Sequence, residues 1–344
     1  MPTVTVILPT YNRADLLPLA VASALNQTRL PDEILIVDDG STDDTPAVAA
    51  GFGAPVRYIR QDNAGVAAAR NHGFRVATGD YLALLDADDL WMPDKLAIQL
   101  AALAANPAVR WSVTNCEVIG FDGRPLEGIQ GFRRVFPVFA ELGVEPAAHF
   151  GRALTRSSVE VRGTSVELYT GDAFELLFDG NFGLPSSVLL HRSLIDEAGG
   201  FDAGFRLAEE TEFFHRIAAV APVALVTAPL VQYRTGGTGT LTSPSNTVKL
   251  VENALLSLDR AAVRRGALQG AALASYRAGR ARLLDRLAYA QLSMLNGTAA
   301  RAAVLRAWRE GSNRSPRSVM LVLLSLVPAG GLRGLHALKR KLRG

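Results

Sequence analysis

Cysteine is nearly absent: Cys116 is the one thiol in 344 residues, so no internal disulfide can form. Cys116 also has no Cys or His near it at ligand spacing. That argues against a disulfide framework and a structural zinc site, and a reducing cytoplasm is the expected setting. Met1-Pro2-Thr3 has no basic region leading into an apolar signal core, and Val4 to Leu8 is too short to be one, so secretion is not expected. Long apolar runs are missing as well. The best candidate, Val319 to Val327, reaches Leu332 only through Pro328, Gly330 and Gly331, whereas a spanning helix needs about 20 apolar residues. Strong net charge is lacking too, at +3, but the charge is unevenly spread. From Arg260 onward stand 17 of the 36 Lys and Arg and only 2 of the 33 acids. An acidic front does not attract nucleic acid, and no aromatic-interleaved basic motif is present, so no nucleic-acid partner is expected. The basic end suits anionic lipid first, then an acidic protein or RNA.

Apolar residues make up 49% of the chain, enough to bury a sizeable core in one large domain with an appendage, or in two domains. The first hundred residues alternate strand-length and helix-like segments: Thr3 to Leu8, Ala14 to Leu25, Glu33 to Val37, Thr45 to Ala50, Val56 to Arg60, Ala64 to Ala77, Tyr81 to Leu85 and Pro93 to Ala105. This βα repeat predicts an α/β fold with a mostly parallel central sheet covered by helices on both faces. Residues 119–182 are less regular, with turn signals at Asp122-Gly123 and Asp179-Gly180, and read as a variable insertion. From Lys249 to about Trp308, Ala, Leu and Arg recur at helical spacing. The expected division is 1–248 and a basic helical region, 249–344.

Two acidic clusters close predicted strands. Asp38-Asp39 follows Ile34-Leu35-Ile36-Val37, and Asp86-Ala87-Asp88-Asp89 follows Tyr81-Leu82-Ala83-Leu84-Leu85. In parallel sheets ligands bind beyond the carboxyl ends of the strands, where Pro9-Thr10-Tyr11-Asn12 also falls. Carboxylates this crowded shift one another's pKa and need a cation or hydrogen-bond donors to neutralise them. Asp86-Ala87-Asp88 suits Mg²⁺ or Mn²⁺ held through one or two oxygens, with water and a substrate diphosphate completing the shell. A solvated turn capping the helix near Pro93 is the alternative.

Four segments occur in a telling order: Val4 to Arg13 (VTVILPTYNR), Pro31 to Thr45 (PDEILIVDDGSTDDT), Asn63 to Gly73 (NAGVAAARNHG) and Gly79 to Asp89 (GDYLALLDADD). Together they resemble the family 2 inverting glycosyltransferases, whose nucleotide-sugar-binding fold is called GT-A. The resemblance covers roughly residues 2–100 and returns at Gly199 to Arg216 and Gln232 to Arg234. It implies that Pro9, Tyr11 and Asn12 line a nucleobase pocket and that Asp39 accepts from the base, most simply the imide N–H of uracil or thymine. A carboxylate acceptor beside an aromatic face suits such a base. Asp38 or Asp39 capping the Gly40-Ser41 turn is the plainer reading of that pair. The resemblance further brings Gly65 and Arg70 to the nucleotide sugar, with Arg70 near the diphosphate, Asp86 at the ribose or sugar, and Asp88 at the metal; Asp89, next in the chain, is a further candidate without an assigned role. Arg70 paired with the clustered aspartates is a second reading compatible with the first.

The family normally carries a Glu-Asp pair opening a helix after a Gly-Gly-Phe turn. Here Gly199-Gly200-Phe201 is followed by Glu209-Glu210-Thr211-Glu212-Phe213, so the resemblance gives the base role to Glu210, one methylene longer than the usual Asp. Ordinary first-turn acids favoured by the helix dipole are the alternative. Where many relatives place a metal-binding His after Tyr233-Arg234, this chain reads Thr235-Gly236-Gly237-Thr238, and neither His191 nor His215 matches the motif. Ser186 and Ser187 resemble the segment beneath the acceptor site, or start a strand.

The implied activity is inverting, metal-assisted transfer of a sugar from a UDP or dTDP donor to a saccharide or lipid-linked saccharide, in cell-surface glycan biosynthesis. Residues 119–182 would face the acceptor. A catalytically degenerate nucleotide-sugar-binding module, partner in a biosynthetic assembly, is the competing expectation. A nucleotidyltransferase would want a Gly-rich phosphate loop near the first strand, which Pro9 to Arg13 is not. Segment 318–343, uncharged and apolar at first and then basic, reads as an interfacial helix at the inner membrane face or as a core-packed helix.

Overall fold

The computed structural model describes residues 1–128, 131–236, 244–310 and 316–328. Its chain forms two compact units, Met1–Gly237 and Thr238–Gly344.

The first unit opens with β1 (Val4–Thr10), α1 (Leu17–Leu25), β2 (Glu33–Asp38), α2 (Thr45–Ala50), β3 (Val56–Arg60), α3 (Val66–Val76), β4 (Tyr81–Leu84), β5 (Leu90–Trp91) and α4 (Lys95–Ala105). It continues with β6 (Trp111–Ile119), α5 (Phe132–Val135), α6 (Pro137–Leu142), α7 (Pro146–Phe150), β7 (Thr155–Val161), β8 (Thr164–Gly171), α8 (Phe174–Leu177), β9 (Leu189–His191), α9 (Ser193–Ala198), α10 (Glu209–Ala218) and β10 (Val223–Arg234). One sheet holds all ten strands in the order β3-β2-β1-β4-β9-β6-β10-β8-β7, with β5 paired to β10.

Neighbours among β3, β2, β1 and β4 run parallel, as the βα repeat requires. Every residue of β1 is buried, so both faces of the strand exclude water, at a gain of roughly 1.5–3 kcal/mol per large aliphatic side chain. On one face α3 lies so close that a Cβ on Gly73 would meet Ile7 Cγ2 at 2.3 Å. Parallel register puts Thr10 opposite Asp38, and β4 runs beside β1 on its other edge, so the loops after all three strands open at one end.

Beyond β4 the sheet is mixed. β9 runs antiparallel between β4 and β6, β10 is parallel to β6, and β8 and β7 extend the edge as an antiparallel hairpin. This hairpin lies in the stretch 119–182, whose sequence reads as irregular. The reason is visible in β7: Thr155, Arg156, Ser157 and Ser158 are exposed on an edge strand and leave no apolar signal.

The second unit contains α11 (Pro244–Arg265), α12 (Gly270–Ser293), α13 (Gly297–Arg309) and α14 (Pro316–Ser325). Val251, Leu255, Leu284 and Ala307 form one apolar cluster, and Ala288, Leu292, Ala300, Ala303, Val304 and Leu321 another. Arg280 is buried against Asp259, with Nε to Oδ1 at 2.6 Å. α11 begins before Lys249, because its first residues, Pro-Ser-Asn-Thr, carry none of the Ala/Leu/Arg periodicity by which the helix is recognised.

Candidate active site

The loop after β1 is tied to the loop after β2. Asn12 takes a left-handed φ of 50°, which Asn tolerates better than most residues, and its Oδ1 accepts from Thr42 N at 2.8 Å. Its own N–H donates to Ser41 Oγ, while Arg13 N–H donates to Thr45 Oγ1, both at 2.9 Å. Pro9 is buried, whereas Tyr11 is 45% exposed.

The first acidic pair is consumed by the protein. Asp38 is fully buried and accepts from Ser41 N at 2.8 Å and from Tyr58 OH at 2.7 Å, with Arg60 Nε 3.9 Å away. Burial, and then this carboxylate, push the Tyr58 phenol up to about 12. Asp39 accepts from Gln61 Nε2 at 2.7 Å, Ala64 N at 2.9 Å and Gly65 N at 2.8 Å. Its carboxylate therefore shapes the turn into α3, where Gly65 has the φ of +92° that favours glycine. A carboxylate has about four acceptor positions, and these donors fill three of Asp39's.

The second cluster divides its side chains three ways. Asp86 Oδ1 receives Arg70 Nη2 at 2.8 Å, and its N–H donates to Ser186 Oγ at 3.0 Å. Asp88 is 37% exposed and has Arg13 Nε at 3.6 Å. Asp89 is buried and accepts from Ser186 Oγ at 2.6 Å and Arg234 N at 3.0 Å. Burial and then its two neighbours raise the Asp89 pKa well above the carboxylate range; burial and then Asp86 raise that of Asp88, against Arg13. Ser186 thus pins the turn from 97 residues away, and Trp91 Nε1 in turn holds Ser186 O at 2.8 Å. Ser187, also buried, bonds locally to Leu184 O and receives Gln99 Nε2 on its carbonyl.

Arg70 joins this cluster to the acids of α10. Its guanidinium is buried, lies 5.0 Å from the Phe201 ring centroid, and reaches Glu209 Oε1 at 3.2 Å as well as Asp86. Burial works against its charge, but Asp86 and Glu209 prevail and its pKa rises. The turn after Gly199-Gly200-Phe201 leads to Ala208, whose left-handed φ of 63° is rare without a glycine and starts α10 with Glu209 and Glu210 in its first turn. Burial, and then Glu209, push the Glu210 carboxyl up to about 7, against its own N–H and Arg70. Glu212 faces away and pairs with Arg216 at 2.6 Å. A cleft of about 270 Å³ lies between residues 63–67 and Ala203, Phe205, Arg206 and Glu209.

His215 is buried with Nε2 near Leu177 O, and burial lowers its pKa to about 4; His191 contacts Ser193 and the edge of Tyr81. Gly237 and Thr238, in the segment after Tyr233-Arg234 where many relatives carry a metal-binding His, lie outside the described residues. Among the described residues no three His, Cys, Asp or Glu converge as a cage. Mg²⁺ or Mn²⁺ that keeps its waters and uses substrate phosphates needs only one or two carboxylates, and the exposed oxygens of Asp88 fit that demand. The links made by Arg13, Ser186 and Arg234 are not visible in the motifs themselves. For Ser186 the faint family likeness of Ser186-Ser187 was the one available signal.

Residues 5–159 match the family model described as Glycosyl transferase family 2. Similar curated proteins include an uncharacterized glycosyltransferase of Rickettsia felis, 42% identical over 139 residues that make up 39% of this chain and 23% of that protein. The succinoglycan biosynthesis protein ExoO of Rhizobium meliloti is 41% identical over 128 residues, 37% of this chain and 36% of ExoO. The putative teichuronic acid biosynthesis glycosyltransferase TuaG of Bacillus subtilis is 37% identical over 130 residues, 37% of this chain and 51% of TuaG. The chain thus spans only a quarter to a half of these relatives. Among solved structures, S. aureus TarS 1-349 in complex with UDP-GlcNAc superposes with a TM-score of 0.54 at 14% identity, over 91% of this chain and 93% of that one. The mannosyltransferase PcManGT from Pyrobaculum calidifontis, in complex with GDP-Man and Mn²⁺, gives 0.55 at 21% identity, over 94% and 79%. At such identities the likeness is one of fold. Residues 5–159 therefore carry a family 2 glycosyltransferase domain, within an α/β unit of the GT-A type.

Proposed function

We propose that the protein is an inverting glycosyltransferase that moves a sugar from a nucleoside diphosphate donor to a hydroxyl of a saccharide or lipid-linked saccharide during polysaccharide synthesis. The observation that carries this reading is Glu210. A carboxyl pushed up to about 7 by burial beside Glu209, Arg70 and Asp86 is matched to proton abstraction near neutral pH. The acceptor O–H gives its proton to a Glu210 oxygen while the acceptor oxygen bonds to the anomeric carbon. The bond from that carbon to the diphosphate breaks on the opposite face, and the nucleoside diphosphate leaves with the electron pair. Arg70 holds Asp86 and Glu209 in place beside that base. Pro9, Tyr11, Asn12 and the open position of Asp39 would receive the base, and Gly65 with Asp86 the ribose and sugar. Asp88 would hold Mg²⁺ or Mn²⁺, which when bound supplies charge for the departing diphosphate.

Support for the donor class comes from the UDP-GlcNAc and GDP-Man of the two structural neighbours, and for the metal from the Mn²⁺ of the second. UDP or dTDP remains the favoured nucleotide, because Asp39 offers an acceptor to an N–H edge. The test is a panel of UDP-, dTDP- and GDP-sugars with Mn²⁺, scored for slow donor hydrolysis. Turnover that falls about 10²- to 10⁴-fold in Glu210→Gln is expected. Tight donor binding with no turnover would instead establish a non-enzymatic binding module.

We place the protein on the cytoplasmic side, at the membrane surface. No helix among the described residues is long and apolar enough to cross a membrane. However, Val319, Met320, Leu323 and Leu326 of α14 and the residue after it are 38–60% exposed, and the sequence beyond them carries Arg333, Lys339, Arg340, Lys341 and Arg343. Residues 329–343 of the suggested segment lie outside the described residues. Truncation after Ser315 should release the protein from liposomes rich in anionic lipid; unchanged partitioning refutes the membrane reading.

A further inference from the structure

Building on the reading of Asp88 as the cation ligand, we propose that Arg13 is an exchangeable counter-ion of the acidic turn. It holds Asp88 in the donor-free protein and passes to the donor's diphosphate when a divalent cation takes Asp88. Cation and nucleoside diphosphate then bind with mutual assistance.

The partners around the turn single out this pair. Asp86 is engaged by Arg70, and Asp89 by Ser186 and the Arg234 main chain. The Arg234 guanidinium lies near but is spent on carbonyls, with Nε on Asp88 O at 2.9 Å and Nη1 on Phe121 O at 2.9 Å. Asp88's carboxylate is left with Arg13 at 3.6 Å. Both side chains are partly open, at 42% for Arg13 and 37% for Asp88, so the contact can break without unfolding anything.

Arg13 is built to let go. Its backbone is anchored through Thr45 Oγ1, and its guanidinium has one further bond, to Asn12 O at 3.2 Å. A long stem on a fixed backbone lets the charged head swing while its base stays put. A divalent cation arriving at Asp88 would face a guanidinium of like sign and must displace it. A diphosphate offers that guanidinium a new partner suited to its forked donors. Neither ligand alone resolves the conflict, whereas both together do, and such coupling is reciprocal.

Calorimetric titration of the full chain with MnCl₂, alone and with saturating UDP, tests this. Arg13→Gln should bind Mn²⁺ alone about two- to fivefold more tightly, the range expected for releasing a half-exposed ion pair. The factor by which UDP tightens Mn²⁺ binding should shrink by at least as much. Arg13→Lys, which keeps the charge, should retain most of that factor. Wild-type Mn²⁺ affinity and an unchanged UDP factor in Arg13→Gln, with Mn²⁺ binding lost in Asp88→Asn, would overturn the counter-ion role and leave Asp88 as ligand. A Lys variant as uncoupled as the Gln variant would overturn it in favour of simple packing. Wild-type Mn²⁺ affinity in Asp88→Asn would overturn both this inference and the metal reading beneath it.

Discussion

The acidic clusters at the ends of β2 and β4 look alike in composition and differ in what the protein does with them. Asp38 and Asp39 gather five donors from Ser41, Tyr58, Gln61, Ala64 and Gly65, and both are buried. The β4 cluster buries Asp89, lends Asp86 to a shared arginine, and leaves Asp88 open with a partner at 3.6 Å. A buried carboxylate that holds main-chain N–H groups and neighbouring side chains is a structural part, because removing it leaves those donors unpaired. One held by a loose side-chain pair is available for exchange. On the proposed reading, metal and proton chemistry would fall to the β4 cluster and the α10 acids that Arg70 links to it, while the β2 cluster sets the shape of the loops around them and Asp39 keeps one acceptor position for the base.

That contrast can be broken most sharply at Asp88. Asp88→Ala should lower donor turnover by about 10²-fold or more and leave the melting temperature nearly unchanged, since a half-exposed pair contributes little to stability. A large loss of stability with preserved turnover would reverse the assignment. Next in size is the pH response of Glu210, which must be deprotonated to act as base. The rate should rise with pH to a plateau above about 7, and be roughly tenfold below that plateau at pH 6. Stability should run the other way. The folded-state pKa lies above the ordinary 4.5, so the stabilising contribution of the protonated group is full below 4.5 and is lost as pH rises through about 7. Thermal melts of Glu210→Gln across pH 4.5–7.5 should lack that component; an identical profile would show that Glu210 does not titrate there. The smallest effect on chemistry is expected at Asp38. Asp38→Asn should cost about 1–3 kcal/mol in urea unfolding, by unbalancing the bonds from Ser41 and Tyr58, while Mn²⁺ affinity stays within twofold. A collapse of Mn²⁺ affinity would put Asp38 in the site rather than beneath it.

Much of this architecture was legible. Strand-length runs such as Ile34 to Val37, closed by acids, give β2 and β4 their ends, because a strand buried on both faces must be apolar throughout and its polar residues fall where it meets solvent. The β7–β8 hairpin was not legible, since an edge strand that shows Arg156 and Ser157 to water reads like a loop. The start of α11 was hidden for a similar reason, as capping and first-turn residues share a composition with turns.

The sequence by itself determined the parallel first half of the sheet, the end of it at which polar residues collect, and the presence of surplus acid there, all properties of local pattern. Only the tertiary structure decided which acid each donor would meet. Arg70 reaches Glu209 across 139 residues, Ser186 reaches Asp89 across 97, and Arg234 N reaches Asp89 across 145. Those meetings depend on strand order and register, and a carboxylate's freedom to act depends on them rather than on its place in a motif.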